Sequence, residues 1–221
     1  MKLLAVKQAR SIWLISQIDL NPRGRNLLSL IPGIVSNYKF QVFPIKPEDF
    51  DLSKGVKFFG GIFQKDSQTE INVDLTVFVD GFIADTRSST QDSDAFLDEL
   101  LTSATTELGL VPYKEVLRTN SYLSELLVQT DKSLNTLNPK LERFAKRLTS
   151  LIEGHDHHPI AFETYAIALW TNPTITLPPG PFRFQRADDI PFSENRYHSI
   201  APLQTEIHIE LLTEFESILS S

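Results

Sequence analysis

From Ile71 to Val79 an apolar side chain recurs at every second residue: Ile71, Val73, Leu75, Val77 and Val79 are set against Asn72, Asp74, Thr76 and Phe78. A period of two is the pattern of a β-strand with one face buried, and a helix of the same sequence scatters its valines around every side. Asp80-Gly81 follows, a pair suited to the positive φ angles of a type I′ turn, and Phe82 to Thr86 resumes the strand. The stretch Ile71 to Thr86 therefore reads as a β-hairpin. With that turn, Val79 is expected opposite Phe82, Phe78 opposite Ile83, Val77 opposite Ala84, Thr76 opposite Asp85, and Asp74 opposite Arg87. Opposed residues share a face. One face, Val73, Leu75, Val77, Val79, Phe82 and Ala84, is then wholly apolar, and the other grades from Phe78 and Ile83 at the tip to Asp74 and Arg87. The tip is expected to be buried on both sides.

Further strands are expected beside the hairpin. Ser11 to Leu20 is an almost continuous apolar run closed by Asn21-Pro22, which suits a buried strand. Tyr38 to Ile45 alternates Tyr38, Phe40 and Val42 with Lys39 and Gln41 until Pro44 and Pro47 end it. Val56 to Phe63 contains Gly60-Gly61, the mark of a bulge or of another chain segment approaching closely. Tyr122 to Gln129, Ala161 to Trp170 and Phe182 to Arg186 complete the set.

Three main helices are legible. Thr90 to Leu108 has Ser88, Ser89 and Thr90 as cap candidates, Asp92 and Asp94 where the helix dipole favours negative charge, and Gly109 as its stop. Its Phe96, Leu97, Leu100, Leu101, Ala104 and Leu108 recur at helical spacing. Pro139 to Glu153 has Asn138 as cap, Pro139 at the first helical position and Gly154 after its end. Its stripe of Leu141, Phe144, Ala145, Leu148, Leu151 and Ile152 is expected to be buried. Pro202 to Leu219 presents an arc of Leu203, Ile207, Leu211, Leu212, Phe215, Ile218 and Leu219, with its glutamates largely opposite. A shorter helix over Asn26 to Ile31 is expected to break at Pro32-Gly33. Grouped strands followed by helices, without strict alternation, indicate an α+β fold: an antiparallel or mixed sheet built around the central hairpin and covered by three main helices. All 221 residues are expected to form a single domain.

The 15 phenylalanines and a 41% hydrophobic content supply a sizeable core, so the chain is expected to fold by itself. The absence of cysteine excludes disulfides, zinc–thiolate sites, iron–sulfur clusters and a thiol nucleophile. Lys2 to Leu20 is interrupted by Lys7, Gln8, Arg10 and Asp19 and lacks a cleavage site, and no apolar run reaches membrane-spanning length. A cytoplasmic protein with no membrane association is expected. A net charge of −7 argues against nucleic-acid binding. The basic residues Lys140, Arg143, Lys146 and Arg147 lie off the apolar stripe of their helix, as a solvated face would.

Four groups of residues invite a chemical reading. Gly154-His155-Asp156-His157-His158 holds three of the five histidines. His155, His157 and His158 are candidate metal ligands, with Asp156 or a distant carboxylate completing the site, although the spacing matches no zinc motif and a solvated loop is the plainer reading. Asp80, Asp85, Asp92 and Asp94, with Arg87 among them, resemble a cation site, but each has a local task in a turn, a ladder or a helix start. His208 falls inside the apolar arc of its helix, so it needs a hydrogen-bond partner. Between Leu177 and Tyr197 phenylalanine, arginine and tyrosine are concentrated. Phe182, Arg183, Phe184, Arg186, Arg196 and Tyr197 are the candidate residues for contact with a protein partner.

No Walker loop, dinucleotide-binding glycine pattern, nucleophile elbow or EF-hand loop is present. The expectation is a non-catalytic binding or assembly module, without a cofactor, acting through protein–protein contacts in the cytoplasm. The alternative is a metal-dependent hydrolase built on the histidine-rich loop.

Overall fold

The structure, a computed structural model, describes residues 1–153, 161–172, 174–175 and 179–220. Among these the chain is α+β, with eight strands and six α-helices, and every described strand pairing is antiparallel. None of the described helices is long and apolar enough to cross a membrane. Two compact units emerge: one comprises Val6–Ser124 with Pro202–Thr205, the other Met1–Ala5, Glu125–Ala201 and Glu206–Ser221.

The first unit holds β1 (Lys2–Leu14) from Val6 onward, α1 (Gln17–Leu20), α2 (Ile31–Tyr38), β2 (Val56–Gln64), β3 (Glu70–Val77), β4 (Gly81–Thr86), α3 (Thr90–Leu108), α4 (Tyr113–Val116), and β5 (Thr119–Gln129) as far as Ser124. Its strands pair in the order β2, β3, β4, β1. The hairpin of β3 and β4 forms, but Val77, not Val79, faces Phe82, and Thr76 faces Ile83. The reason lies outside the hairpin. The carbonyls of Val79 and Asp80 accept hydrogen bonds from the N–H groups of Gln17 and Ile15, both at 3.0 Å, so these residues belong to a wider loop and are not free to close a tight turn. The register moves by two residues, which leaves every side chain on its predicted face. Val73, Leu75, Phe82 and Ala84 are buried, whereas Val79 at the tip is 52% exposed. The tip is thus open, contrary to expectation.

α3 follows the sequence closely. Ser89 caps it by accepting from the Asp92 N–H, Gly109 ends it at a φ of 60°, and Phe96, Leu97, Leu100, Leu101 and Ala104 are buried. Phe96 meets Tyr38 edge-on at 4.9 Å and Phe63 at 5.8 Å between ring centroids, so this one side chain joins α2, β2 and α3 in the core.

Three expectations fail in this unit for identifiable reasons. Ser11 to Leu20 is not one strand: β1 starts earlier and ends at Leu14, and Ser16 caps the α1 turn by accepting from the Asp19 N–H. The short helix expected before Pro32 forms only as a 3₁₀ turn, Leu27–Leu30, and Pro32 then opens a new helix in place of ending the helical run, because in the first turn of α2 its missing N–H has no partner to lose. Tyr38 to Ile45 is not a strand; Tyr38 closes α2, and only a single bridge joins Val42 to Phe59. Gly60-Gly61 is a bulge as predicted, with the register shifting between Phe58 and Gly61. It also makes room for Phe40, since a Cβ on Gly61 would lie 2.4 Å from that ring.

The second unit holds β5 from Glu125, α5 (Pro139–Glu153), β6 (Ala166–Leu169), β7 (Phe182–Arg186), β8 (Arg196–Ala201), and α6 (Thr205–Leu219) from Glu206. β6, β7 and β8 pair in that order. β6 is shorter than the expected Ala161 to Trp170 strand, and β8 has no counterpart in the sequence reading. α6 packs on this sheet: the Phe215 ring meets Phe184 at 5.1 Å, and Phe184 stacks on Tyr197 at 4.5 Å.

α5 forms over the predicted residues, with Asn138 Oδ1 accepting from the Lys140 N–H at 3.0 Å. Its stripe, however, is not buried. No residue from 139 to 152 is buried, and Leu141, Phe144 and Leu151 are 51%, 67% and 51% exposed. The expected cover of three helices is therefore corrected: α5 contributes no fully buried side chain to a core.

Candidate functional site

The residues between Phe182 and Tyr197 divide sharply by exposure. Phe182, Phe184 and Arg186 alternate on β7 toward α6, with Arg183 pointing the other way and exposed. Phe184 and Tyr197 are fully buried, Phe182 is half-buried, and the half-buried Arg196 pairs with Glu194 at 3.0 Å. Arg186 is the largest fully buried side chain among the described residues. Its Nε donates to the Thr164 carbonyl at 3.1 Å, its Nη1 to the Phe192 carbonyl at 2.8 Å, and its Nη2 to Ser133 Oγ at 3.2 Å and Glu163 Oε2 at 2.8 Å. The guanidinium also lies 4.3 Å from the Phe192 ring centroid. A planar cation with donors spread around its edge suits this task, because it ties loops from three parts of the chain to one point. Burial raises the pKa of the neighbouring Tyr197 hydroxyl above its ordinary value, despite the opposing field of Arg186. This arginine organises the unit and has no surface to offer a partner.

His208 is completely buried, as its wheel position suggested, and its Nε2 lies 2.8 Å from Ser199 Oγ. Ser199 is also fully buried. A serine–histidine pair can activate a nucleophile, but only where a substrate reaches it. Here the Phe182 ring stands 6.4 Å away and the pair is sealed, so it satisfies a core histidine.

The acidic group after the hairpin disperses into local contacts. Asp85 receives Arg10 through Nε at 2.8 Å and Nη2 at 2.9 Å, and Gln8 Nε2 at 2.9 Å. Asp74 accepts from the Gly60 N–H at 2.7 Å and does not meet Arg87, which is exposed. Asp92 pairs with Lys65 at 2.6 Å and accepts from the Ser89 hydroxyl at 2.9 Å and from Ser88. Burial works to raise the Asp92 pKa, and the bonds from Lys65, Ser88 and Ser89 outweigh it, holding the carboxyl below its usual range. Asp94 accepts from Trp13 Nε1 at 2.8 Å and from the Tyr122 hydroxyl at 3.0 Å. Among the described residues no group of three or more histidine, aspartate or glutamate side chains is placed to hold a metal ion. His155, His157 and His158, with Asp156, lie outside the described residues.

What remains is the surface around α5. Leu141, Phe144, Leu148 and Leu151 follow a three–four spacing, the a and d positions of a heptad. On the helical wheel Phe144 and Leu151 form one edge of the stripe, and Lys140, Arg143 and Arg147 come next around it. All three cations are exposed, with no acidic partner among the described residues, whereas Lys146 on the other flank pairs with Glu142 at 2.6 Å. Phe162, 39% exposed, sits beside the helix, its N–H donating to Thr149 Oγ1 at 3.1 Å. Elsewhere in the unit, Leu169 and Trp170, at and beyond the end of β6, are 63% and 72% exposed. The sequence reading missed this face because a stripe of the right period says only that a helix side will be covered, not by what.

No protein-family model matches this sequence, and no curated protein matches it.

Proposed function

We propose that the chain is a non-catalytic binding or assembly module, acting through protein–protein contacts in the cytoplasm. One observation carries this reading: α5 has the pattern of a helix that buries one side, yet buries no residue between 139 and 152. An isolated helix of this length is marginal in water and draws its stability from packing its apolar side. Exposed aromatic and aliphatic side chains in one area, bordered by charge, are the mark of an interaction surface. Phe144 supplies an aromatic anchor of the kind that dominates interface energies. The burial of Phe184, Arg186 and Tyr197 moves the proposed contact from the β7–β8 region to α5, with the exposed Arg183 remaining open to a partner.

The test is to express the chain in its own host and separate the extract by size. The wild-type chain is expected in a species larger than the 25.0 kDa monomer. Phe144→Ser with Leu151→Ser is expected to return it to monomer size while the purified protein keeps a cooperative thermal transition. A wild-type chain that runs as a monomer in the extract would overturn the reading.

A further inference from the structure

α5 and α6 carry exposed apolar edges with rims of opposite charge. On α6, Leu212, Leu219 and His208 face the sheet and are buried, but the other edge of the apolar arc is not: Ile207 is 45% exposed and Leu211 37%. Next to that edge on the wheel stand Glu214 and Glu210, both exposed. α6 has four glutamates and no lysine or arginine. α5 is the reverse, with Lys140, Arg143 and Arg147 beside Phe144 and Leu151. The two helices belong to one unit, where the Thr136 hydroxyl, in the turn before α5, donates to the Leu219 carbonyl at the end of α6 at 3.0 Å.

We propose that two copies of this chain form a two-fold dimer in which the basic-rimmed apolar edge of each α5 seats on the acid-rimmed apolar edge of α6 in the other copy. The inference rests on the assembly reading above and names its partner. A two-fold axis satisfies both faces at once, because the contact of α5 with the second α6 is repeated by symmetry as α6 with the second α5. Spacing agrees with charge. Phe144 and Leu151 are seven residues apart, as are Leu211 and Ile218, so two apolar contacts on each helix fall in step. The competing arrangement, α5 against a second α5 running antiparallel, sets Lys140 opposite Arg147 and gathers six cations around one seam. An acidic partner of another kind also fits the basic rim, but leaves the acid-rimmed edge of α6 uncovered. A second copy covers both.

The experiment is a charge exchange on purified protein, read as molar mass by light scattering after size-exclusion chromatography, with a thermal melt to confirm folding. The wild type is expected at twice the monomer mass. Arg143→Glu with Arg147→Glu, and separately Glu210→Arg with Glu214→Arg, are each expected to weaken the dimer about tenfold or more. Mixing the two variants is expected to restore dimers, since each copy then meets its complement on both sides. That rescue cannot come from a structural role of either set within one chain. The inference is overturned if the purified wild type is monomeric, if either reversal leaves the dimer unchanged, or if the α5 reversal strengthens it, as relief of an α5–α5 contact would. A purified monomer beside a large species in the host extract overturns the second copy alone and leaves the assembly reading standing. A monomer in both overturns the two together.

Discussion

Arg186 and Asp92 show how differently two charged side chains serve this protein. Arg186 is desolvated and satisfied on every side, so removing it strands Glu163 and three other acceptors around a hole. Arg186→Met is expected to lower stability by about 2 kcal/mol or more in denaturant titration, as stranding buried hydrogen-bond acceptors does. Arg186→Lys is expected to recover only part, since an ammonium lacks the planar fork. Asp92 belongs to the start of α3, where it reciprocates the Ser89 cap and receives Lys65. Its folded-state pKa is depressed, so its contribution is fully present above the ordinary carboxylate range and is lost as pH falls through the folded value. Asp92→Asn is therefore expected to cost about 1 kcal/mol at neutral pH, and the difference from wild type is expected to vanish in strongly acidic melts. A gap that widens on acidification would contradict the pairing. The cap and the dipole-favoured acid were both legible in the sequence, because both lie within one helical turn. Arg186 was not, since its partners Ser133, Glu163 and Phe192 are remote or lie in irregular chain, and its residue type alone suggested an exposed contact.

Elements obeyed local pattern wherever the pattern was complete in itself. α3 begins and ends as predicted, and α5 begins as predicted, because caps, the initial proline of α5 and the terminal glycine of α3 act on their own neighbours. β2 kept its bulge for a reason that crosses the fold: Phe40 fills the space that a side chain on Gly61 would need. Gly61→Ala is expected to cost about 1–3 kcal/mol by overpacking. Combined with a smaller residue at Phe40, the two losses are expected to be less than additive in a double-mutant cycle, measured by thermal denaturation. If Gly61→Ala is neutral, the bulge owes nothing to Phe40. Tyr38 to Ile45 failed as a strand for the same cause, since its alternation serves a core plug and a single bridge in place of a ladder.

For the whole molecule, the uneven cover of its helices has a dynamic consequence. Amides near Phe96 to Leu101 lie where the apolar face of α3 is buried, whereas from Leu141 to Ile152 no residue of α5 is buried. Hydrogen exchange in a monomeric form, such as the charge-reversed α5 variant, is expected to be slow in α3 and near the fraying limit in α5. In the assembled wild type the α5 amides are expected to gain protection. Equal protection of α5 in both forms would place its stability within the monomer.

The α+β class, the location of α3, α5, β7 and the hairpin, and the face on which each hairpin side chain lies could all be read from the residues alone. These follow from period, capping and turn chemistry, which act over a few residues. The tertiary structure set the hairpin register, through the bonds that Ile15 and Gln17 make to its loop, and the start of α2 at Ile31 with Pro32 in its first turn. It also decided that Arg186 is interior and that the stripe of α5 is not. Amphipathic pattern requires an apolar neighbour for that stripe, but whether the neighbour belongs to the same chain depends on contacts far apart in sequence, and there the local rules have no say.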